Sequence, residues 1–186
     1  CGFCHVAAKE GRRSVKVADL AEFWMGQEKI VICDPNILAC PDWEDLLGQL
    51  VRSRAVVDFN QGIDVRLATP EKIALLNKIR IKCLHMAWDR PEEDLEENFR
   101  RFGELYCRKS EAAKVVYVLV NYGSTIEQDL HRIYTLRKLK FDPYIMIYDR
   151  ENADPIYKKL QRWVNNRWVW RKCERFEDYD KIKGRG

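Results

Sequence analysis

Residues 55-AVVDFNQGIDVRLATPEKIALLNKIRIKCLHMAWD-89 decide the fold. The run 55–68 is rich in Val, Ile and Phe, as a strand buried between helices is. Thr69-Pro70 follows, an N-cap with proline in the first helical position, and leads into Ile73, Leu76 and Ile79 at helical spacing. A second β-rich run then covers 81–89. A strand–helix–strand unit of this length lays its two strands parallel.

The same alternation extends in both directions. Further β-rich runs stand at 29-KIVICDPNI-37, 114-KVVYVLVNYG-123 and 143-PYIMIYD-149. Helices are expected over 17–25, from Asp42 to about Arg52, and over 92–107. The last of these carries Glu92, Glu93 and Asp94 in its first turn, where the helix dipole favours acids. Ser124 and Glu127 have capping-box spacing ahead of Ile126, Leu130, Ile133 and Leu136. Asp154-Pro155 opens a helix carrying Ile156, Leu160, Trp163 and Val164. The fold class is therefore α/β with a parallel sheet, either doubly wound or barrel-like; periodicity does not choose between them. Residues 1–150 read as the core, and 151–186 as a C-terminal helix with a basic, aromatic extension packed on it.

Composition narrows the function classes. The 186 residues are 46% hydrophobic and 33% charged, enough apolar material for a core and too much for wholesale disorder. No apolar run approaches the roughly 20 residues of a membrane span. Thirty-three basic against 29 acidic residues leave +4, a small excess that gives little ground for a nucleic-acid partner. Seven cysteines, with no secretory leader ahead of them, point to reduced thiols or metal ligands in the cytoplasm rather than a disulfide framework.

In either parallel architecture ligands gather at the C-terminal ends of the strands. Those ends are polar here: Asp34 and Asn36, Asn60, Gln61 and Asp64, Trp88 and Asp89, Asn121, then Tyr148 and Asp149. Within 55–68, Asp58, Asn60, Asp64 and Arg66 share one parity while Val57, Phe59, Ile63, Val65 and Leu67 share the other. A strand of period 2 then turns a polar stripe toward a lumen or pocket, with Gly62 as a bulge.

Cys1-Gly2-Phe3-Cys4-His5 admits several chemistries. CxxCH is the haem-attachment pattern, but no methionine stands as an evident axial partner. CxxC is also a redox pair, although such a pair normally follows a strand and here precedes them all. Two closely spaced thiolates also suit an iron–sulfur cluster. Two ordinary thiols remain the plain alternative.

With Phe3 directly ahead of Cys4, and with helix, strand and repeated βα units following, the chain resembles the radical S-adenosylmethionine (radical SAM) superfamily. The family signature is CxxxCxxC with an aromatic residue before the third cysteine, so Cys1 and Cys4 match its second and third ligands. The segment 59-FNQGIDVRLATPEKIALLNK-78 is similar to the third-strand region of family members. The resemblance implies a partial (β/α)6, TIM-like barrel of parallel strands. Its first cluster cysteine, four residues before Cys1, and its first strand would lie outside this chain. It implies a [4Fe–4S] cluster, S-adenosylmethionine, an electron donor such as flavodoxin or ferredoxin, and an unidentified substrate attacked by a 5′-deoxyadenosyl radical. With only two of the three thiolates, the chain itself is expected to be inactive. By position, Asp34 and Asn36, which stand where the family has a Gly-Gly-Glu-like stretch, would meet the SAM amino group. Asp64 and Arg66 would meet ribose or carboxylate, and Trp88, Asp89, Asn121 and Tyr148 would meet ribose, adenine or substrate.

The other unusual residues read as structural. His85 sits in an apolar run as a core histidine, and His131 falls among charges on a solvated helix face. Cys33, Cys83 and Cys107 read as buried small hydrophobes, and Cys40 and Cys173 are not spaced as a zinc pair. The tail 162-RWVNNRWVWRKCERF-176 interleaves cations with tryptophan, as single-stranded nucleic-acid surfaces do. Tryptophans packed on the sheet explain it equally, and nucleic-acid binding by a non-enzymatic α/β domain is the competing function.

Overall fold

The computed structural model describes residues 9, 11 and 13–180. Six parallel strands are interspersed with helices, β3 passing directly into β4: β1 (Lys29–Ile32), α1 (Trp43–Ser53), β2 (Val56–Phe59), α2 (Pro70–Leu76), β3 (Arg80–Ile81), β4 (Leu84–Ala87), α3 (Glu96–Leu105), β5 (Lys114–Val120), α4 (Ile126–Lys138), β6 (Asp142–Ile147), α5 (Pro155–Asn165) and α6 (Arg167–Lys172). The α/β reading with parallel strands holds. The strands form two three-stranded sheets, β1-β2-β3 and β4-β5-β6, each in chain order. The sheets abut where Ile63 N–H, just past β2, donates to His85 O of β4 at 2.9 Å. Among the described residues they do not close into a barrel.

Period 2 sorts each strand into two faces. Val57, Phe59, Leu84, Met86, Val116, Val118, Val120 and Ile145 point to one side and are buried beneath the helices. Right-handed crossovers between neighbours in chain order put successive helices on that same side. The opposite face has no such cover: Val31, Tyr144 and Met146 are exposed there, and Asp58, His85 and Tyr117 are half-buried. The core continues from Leu20 through the sheet to Trp163, Trp170 and Tyr179, so the C-terminal helices pack as part of it.

Several local expectations shift. The run 55–68 is not one strand: β2 stops at Phe59, and Gly62 N–H closes a turn on Phe59 O at 2.8 Å. Gly62 has φ +80°, and a Cβ there would stand 2.7 Å from His85 O, so glycine lets the chain press against β4 and bend away. Asp64 then caps the short turn Val65–Leu67 by accepting from Arg66 N–H at 2.9 Å. The parity argument consequently holds for Asp58 and fails for Asp64 and Arg66.

Only one turn, Leu20–Glu22, forms where a helix was expected over 17–25. Val17, Phe23 and Met25 face solvent, so no buried stripe offsets the cost of nucleating a longer helix. α3 begins at Glu96, with Asp94 accepting from Glu96 N–H at 3.1 Å, which leaves Glu92 and Glu93 ahead of the helix. The capping box on α4 is Thr125–Gln128, one residue past Ser124–Glu127. Thr69 and Asp154 cap α2 and α5 as their sequence patterns indicate.

Candidate functional site

The C-terminal strand ends gather most of the polar residues singled out from sequence. After β1, Asp34 Oδ1 accepts from Asn36 N–H at 2.9 Å, which folds the Asp-Pro-Asn turn onto itself. Asn36 Oδ1 is buried and has no hydrogen-bond partner. After β4, Asp89 accepts from Leu119 N–H of β5 at 3.3 Å, and burial raises its carboxyl above the ordinary range. After β5, Asn121 takes a left-handed conformation (φ +64°) and donates from Nδ2 to Tyr148 O at 3.0 Å, tying the ends of β5 and β6 together. Tyr148 is exposed, its ring edge-on to Tyr122 at 4.8 Å.

The remaining candidates lie differently. Asp64 and Arg66 form an ion pair at 2.8 Å, and Arg66 also reaches Glu93 at 3.1 Å. The guanidinium is therefore already occupied by two carboxylates. Trp88 is 2% exposed, stacks on Phe99 at 5.5 Å and donates to Glu93 O at 2.8 Å, so it forms part of the core beneath the strand ends. Cys1 and Cys4 lie outside the described residues.

Below the strand ends sits a pair that sequence reasoning missed. Asp129 and Arg132, one helical turn apart on α4, are 0% and 1% exposed and form an ion pair. Arg132 also donates to Trp88 O at 2.5 Å and to Leu119 O at 2.9 Å, while Asp129 accepts from Asn121 N–H at 3.3 Å. One buried guanidinium thus holds the exits of β4 and β5 in place, and its carboxylate fixes the bend at Asn121. In the sequence the two residues look like any surface i, i+3 pair beside His131, which is indeed exposed.

The uncovered face carries a second group. His85 is not a satisfied core histidine: its ring stacks on Tyr117 at 5.6 Å, and its Nδ1 is buried without a partner. Tyr117 meets Tyr144 edge-on at 5.7 Å. Cys83 Sγ stands 3.8 Å from His85 Nε2, and burial pushes its thiol up. Cys33 and Cys107 are exposed and Cys83 is half-buried, against the expectation of three buried thiols, whereas Cys40 and Cys173 are buried. Among the described residues no group of three or more His, Cys, Asp or Glu is placed to hold a metal ion. No helix there is long and apolar enough to cross a membrane.

The C-terminal tryptophans do not form a stacking platform. Trp163 and Trp170 are 0% and 5% exposed and pack edge-on at 5.0 Å, with Arg137 over the Trp170 ring at 4.0 Å. Trp168 alone of the three faces solvent. Comparison of the chain with protein-family models, curated proteins and solved structures returns no match.

Proposed function

We propose that this chain is the core of a cytoplasmic radical SAM iron–sulfur enzyme, its sheet being part of a (β/α)6 barrel. The observation that carries the reading is the order of parts. CGFC precedes a parallel sheet laid down in chain order, whose polar C-terminal ends and uncovered face resemble the mouth and inner wall of an open barrel. A doubly wound sheet would instead reverse its strand order and cover both faces.

The residues present fit the implied groups. Cys1 and Cys4 would supply soft thiolates to the cluster, with a third thiolate four positions ahead of Cys1. The buried, unpartnered Asn36 Oδ1 is an acceptor suited to the amino group of SAM. The chemistry such a cluster and SAM supply when bound is one-electron reductive cleavage to a 5′-deoxyadenosyl radical. The protein's part is to hold and shield the reactants. Asp34 keeps the β1 turn closed so that Asn36 is fixed, and Arg132 clamps the exits of β4 and β5 so that Asp89 and Asn121 keep their places. Flavodoxin or ferredoxin would serve as electron donor, and the substrate is set by residues lining the open face.

Anaerobic reconstitution of the full-length gene product with iron and sulfide tests the reading. A brown chromophore is expected, with 5′-deoxyadenosine formed once SAM and a reductant are added. Both should be lost in Cys1→Ala and Cys4→Ala. Asn36→Ala should weaken SAM binding by about tenfold while leaving the chromophore intact. A colourless protein that never forms 5′-deoxyadenosine would sink the proposal.

A further inference from the structure

The positive charge of the chain is concentrated at one end of the fold. Arg137, in the last turn of α4, donates to Trp170 O at 2.7 Å and to Cys173 O and Glu174 O at 3.2 Å. Its guanidinium also lies 4.0 Å over the Trp170 ring. That one residue ties the C-terminus of α4 to the C-terminus of α6. Seven cations share this end: Arg137, Lys138 and Lys140 from α4 and the turn after it, Arg167, Arg171 and Lys172 from α6, and Arg175. The carboxylates of the same segments are Asp142, Glu174 and Glu177. Seven against three leaves an excess of four, the same as the +4 of the whole chain, so the remainder is neutral in sum.

Most of that excess is open to a partner. Asp142 takes Arg167 at 3.2 Å and Glu177 takes Arg175 at 3.4 Å. Lys138, Lys140, Arg171 and Lys172 are exposed and make no ion pair among the described residues. A helix C-terminus carries about half a negative charge, so the two helix ends offset about one of the four. A cleft of about 470 Å³ opens between the end of α4 and the tail, lined by Tyr134, Arg137, Lys138, Lys140, Glu174 and Arg175. On α6, Trp168 is 63% exposed, and Arg171 and Lys172 follow it three and four positions on, along the same helix face.

An exposed indole flanked by cations suits one partner best. Phosphates answer the cations, and an unpaired base stacks on the ring. An acidic polypeptide would meet the charge and leave the ring unused. A bilayer needs an apolar helix face, and that of α6, Val169 and Trp170, is buried in the core. We propose that this end of the molecule binds single-stranded nucleic acid, its phosphates against Lys138, Lys140, Arg171 and Lys172 and one unpaired base on Trp168. Trp163 and Trp170 are buried beneath this surface and take no part in the stacking. The site is independent of any reaction at the strand ends.

Fluorescence anisotropy of a labelled oligoadenylate of about 12 nucleotides, titrated with the chain, tests it. Contacts from four cations give a slope of about −3 in log K against log salt, so affinity should fall about fiftyfold between about 50 and 200 mM salt. Arg171→Gln/Lys172→Gln should halve that slope. Trp168→Ala should weaken binding about tenfold and leave the slope unchanged. All three positions are exposed, and circular dichroism of each variant separates lost binding from lost folding. The same strand annealed to its complement should bind more weakly, since its bases are already stacked. No binding at about 50 mM salt, an unchanged slope in the double variant, or an unchanged affinity in Trp168→Ala would overturn the proposal. So would a duplex that binds as tightly as the single strand. Polyglutamate or phosphatidylserine vesicles that displace the label as well as unlabelled oligoadenylate does would also overturn it, by assigning the face to an acidic polypeptide or a membrane. Failure of iron–sulfur reconstitution would leave these results unaffected.

Discussion

Replacing Arg132 with Met tests the clamp beneath the strand ends. Arg132 is 1% exposed and its guanidinium is bound by Trp88 O, Leu119 O and Asp129. Methionine fills much of the same volume but supplies no donor. Two carbonyls lose a charged partner, and Asp129, which is fully buried, keeps its carboxylate with no cation beside it. Removing one member of such a pair costs about 3–5 kcal/mol, much of it the price of a lone buried charge. For a chain of this length that corresponds to a fall in Tm of about 10 °C. The loss should also depend on pH in a defined sense. Burial already raises the Asp129 carboxyl despite Arg132, and in the variant it must rise further. A carboxyl whose folded pKa exceeds its unfolded value of about 3.9 binds protons preferentially in the folded state. The stability deficit should therefore be small near pH 4 and grow as pH rises, by at most about 1.4 kcal/mol per unit, until the folded pKa is passed. Urea unfolding followed by circular dichroism across that range reads both effects. The double variant Asp129→Leu/Arg132→Met removes the stranded charge and should recover at least half of the loss at pH 7, leaving Asn121 N–H unpaired. A deficit below about 1 kcal/mol, one independent of pH, or a double variant no better than the single one would refute the reasoning.

Two further outcomes are expected. Gly62→Ala should cost at least about 2 kcal/mol in urea unfolding, because it adds left-handed strain to a Cβ placed 2.7 Å from His85 O; a neutral substitution would mean that the β2–β4 contact is not as close as described. In a Cys1→Ala/Cys4→Ala background, Cys33 and Cys107 should react rapidly with a thiol reagent in the native protein, Cys83 slowly, and Cys40 and Cys173 only on unfolding. Fast labelling of Cys40 or Cys173 would contradict their burial.

Much of the layout was legible because local signals agreed with one another. Thr69-Pro70 and Asp154-Pro155 mark helix starts by side-chain chemistry that needs no tertiary partner, and the structure places caps at both. Capping chemistry alone left α4 ambiguous, since Ser124–Glu127 and Thr125–Gln128 have identical spacing. The second prevails in a helix that buries Asp129, Arg132, Ile133 and Leu136. Of the polar stripe read in 55–68, Asp58 survives and Asp64 and Arg66 leave it, because a strand pattern cannot foresee the turn at Gly62. Burial of an ion pair leaves no mark on sequence spacing, so nothing in the sequence set Asp129 and Arg132 apart.

The sequence by itself determined the class of fold: β-rich runs, capped amphipathic helices and their alternation make parallel α/β structure the arrangement that buries the apolar stripes together. It also determined which strand ends would be polar. Only the tertiary structure decided which face of the sheet lies bare, and that Asp58, Tyr117 and Tyr144 share it. The physical reason is that strand period fixes which residues share a side within one strand. Register and crossover hand, which are properties of the assembled sheet, fix which side the helices cover and which residues from different strands meet.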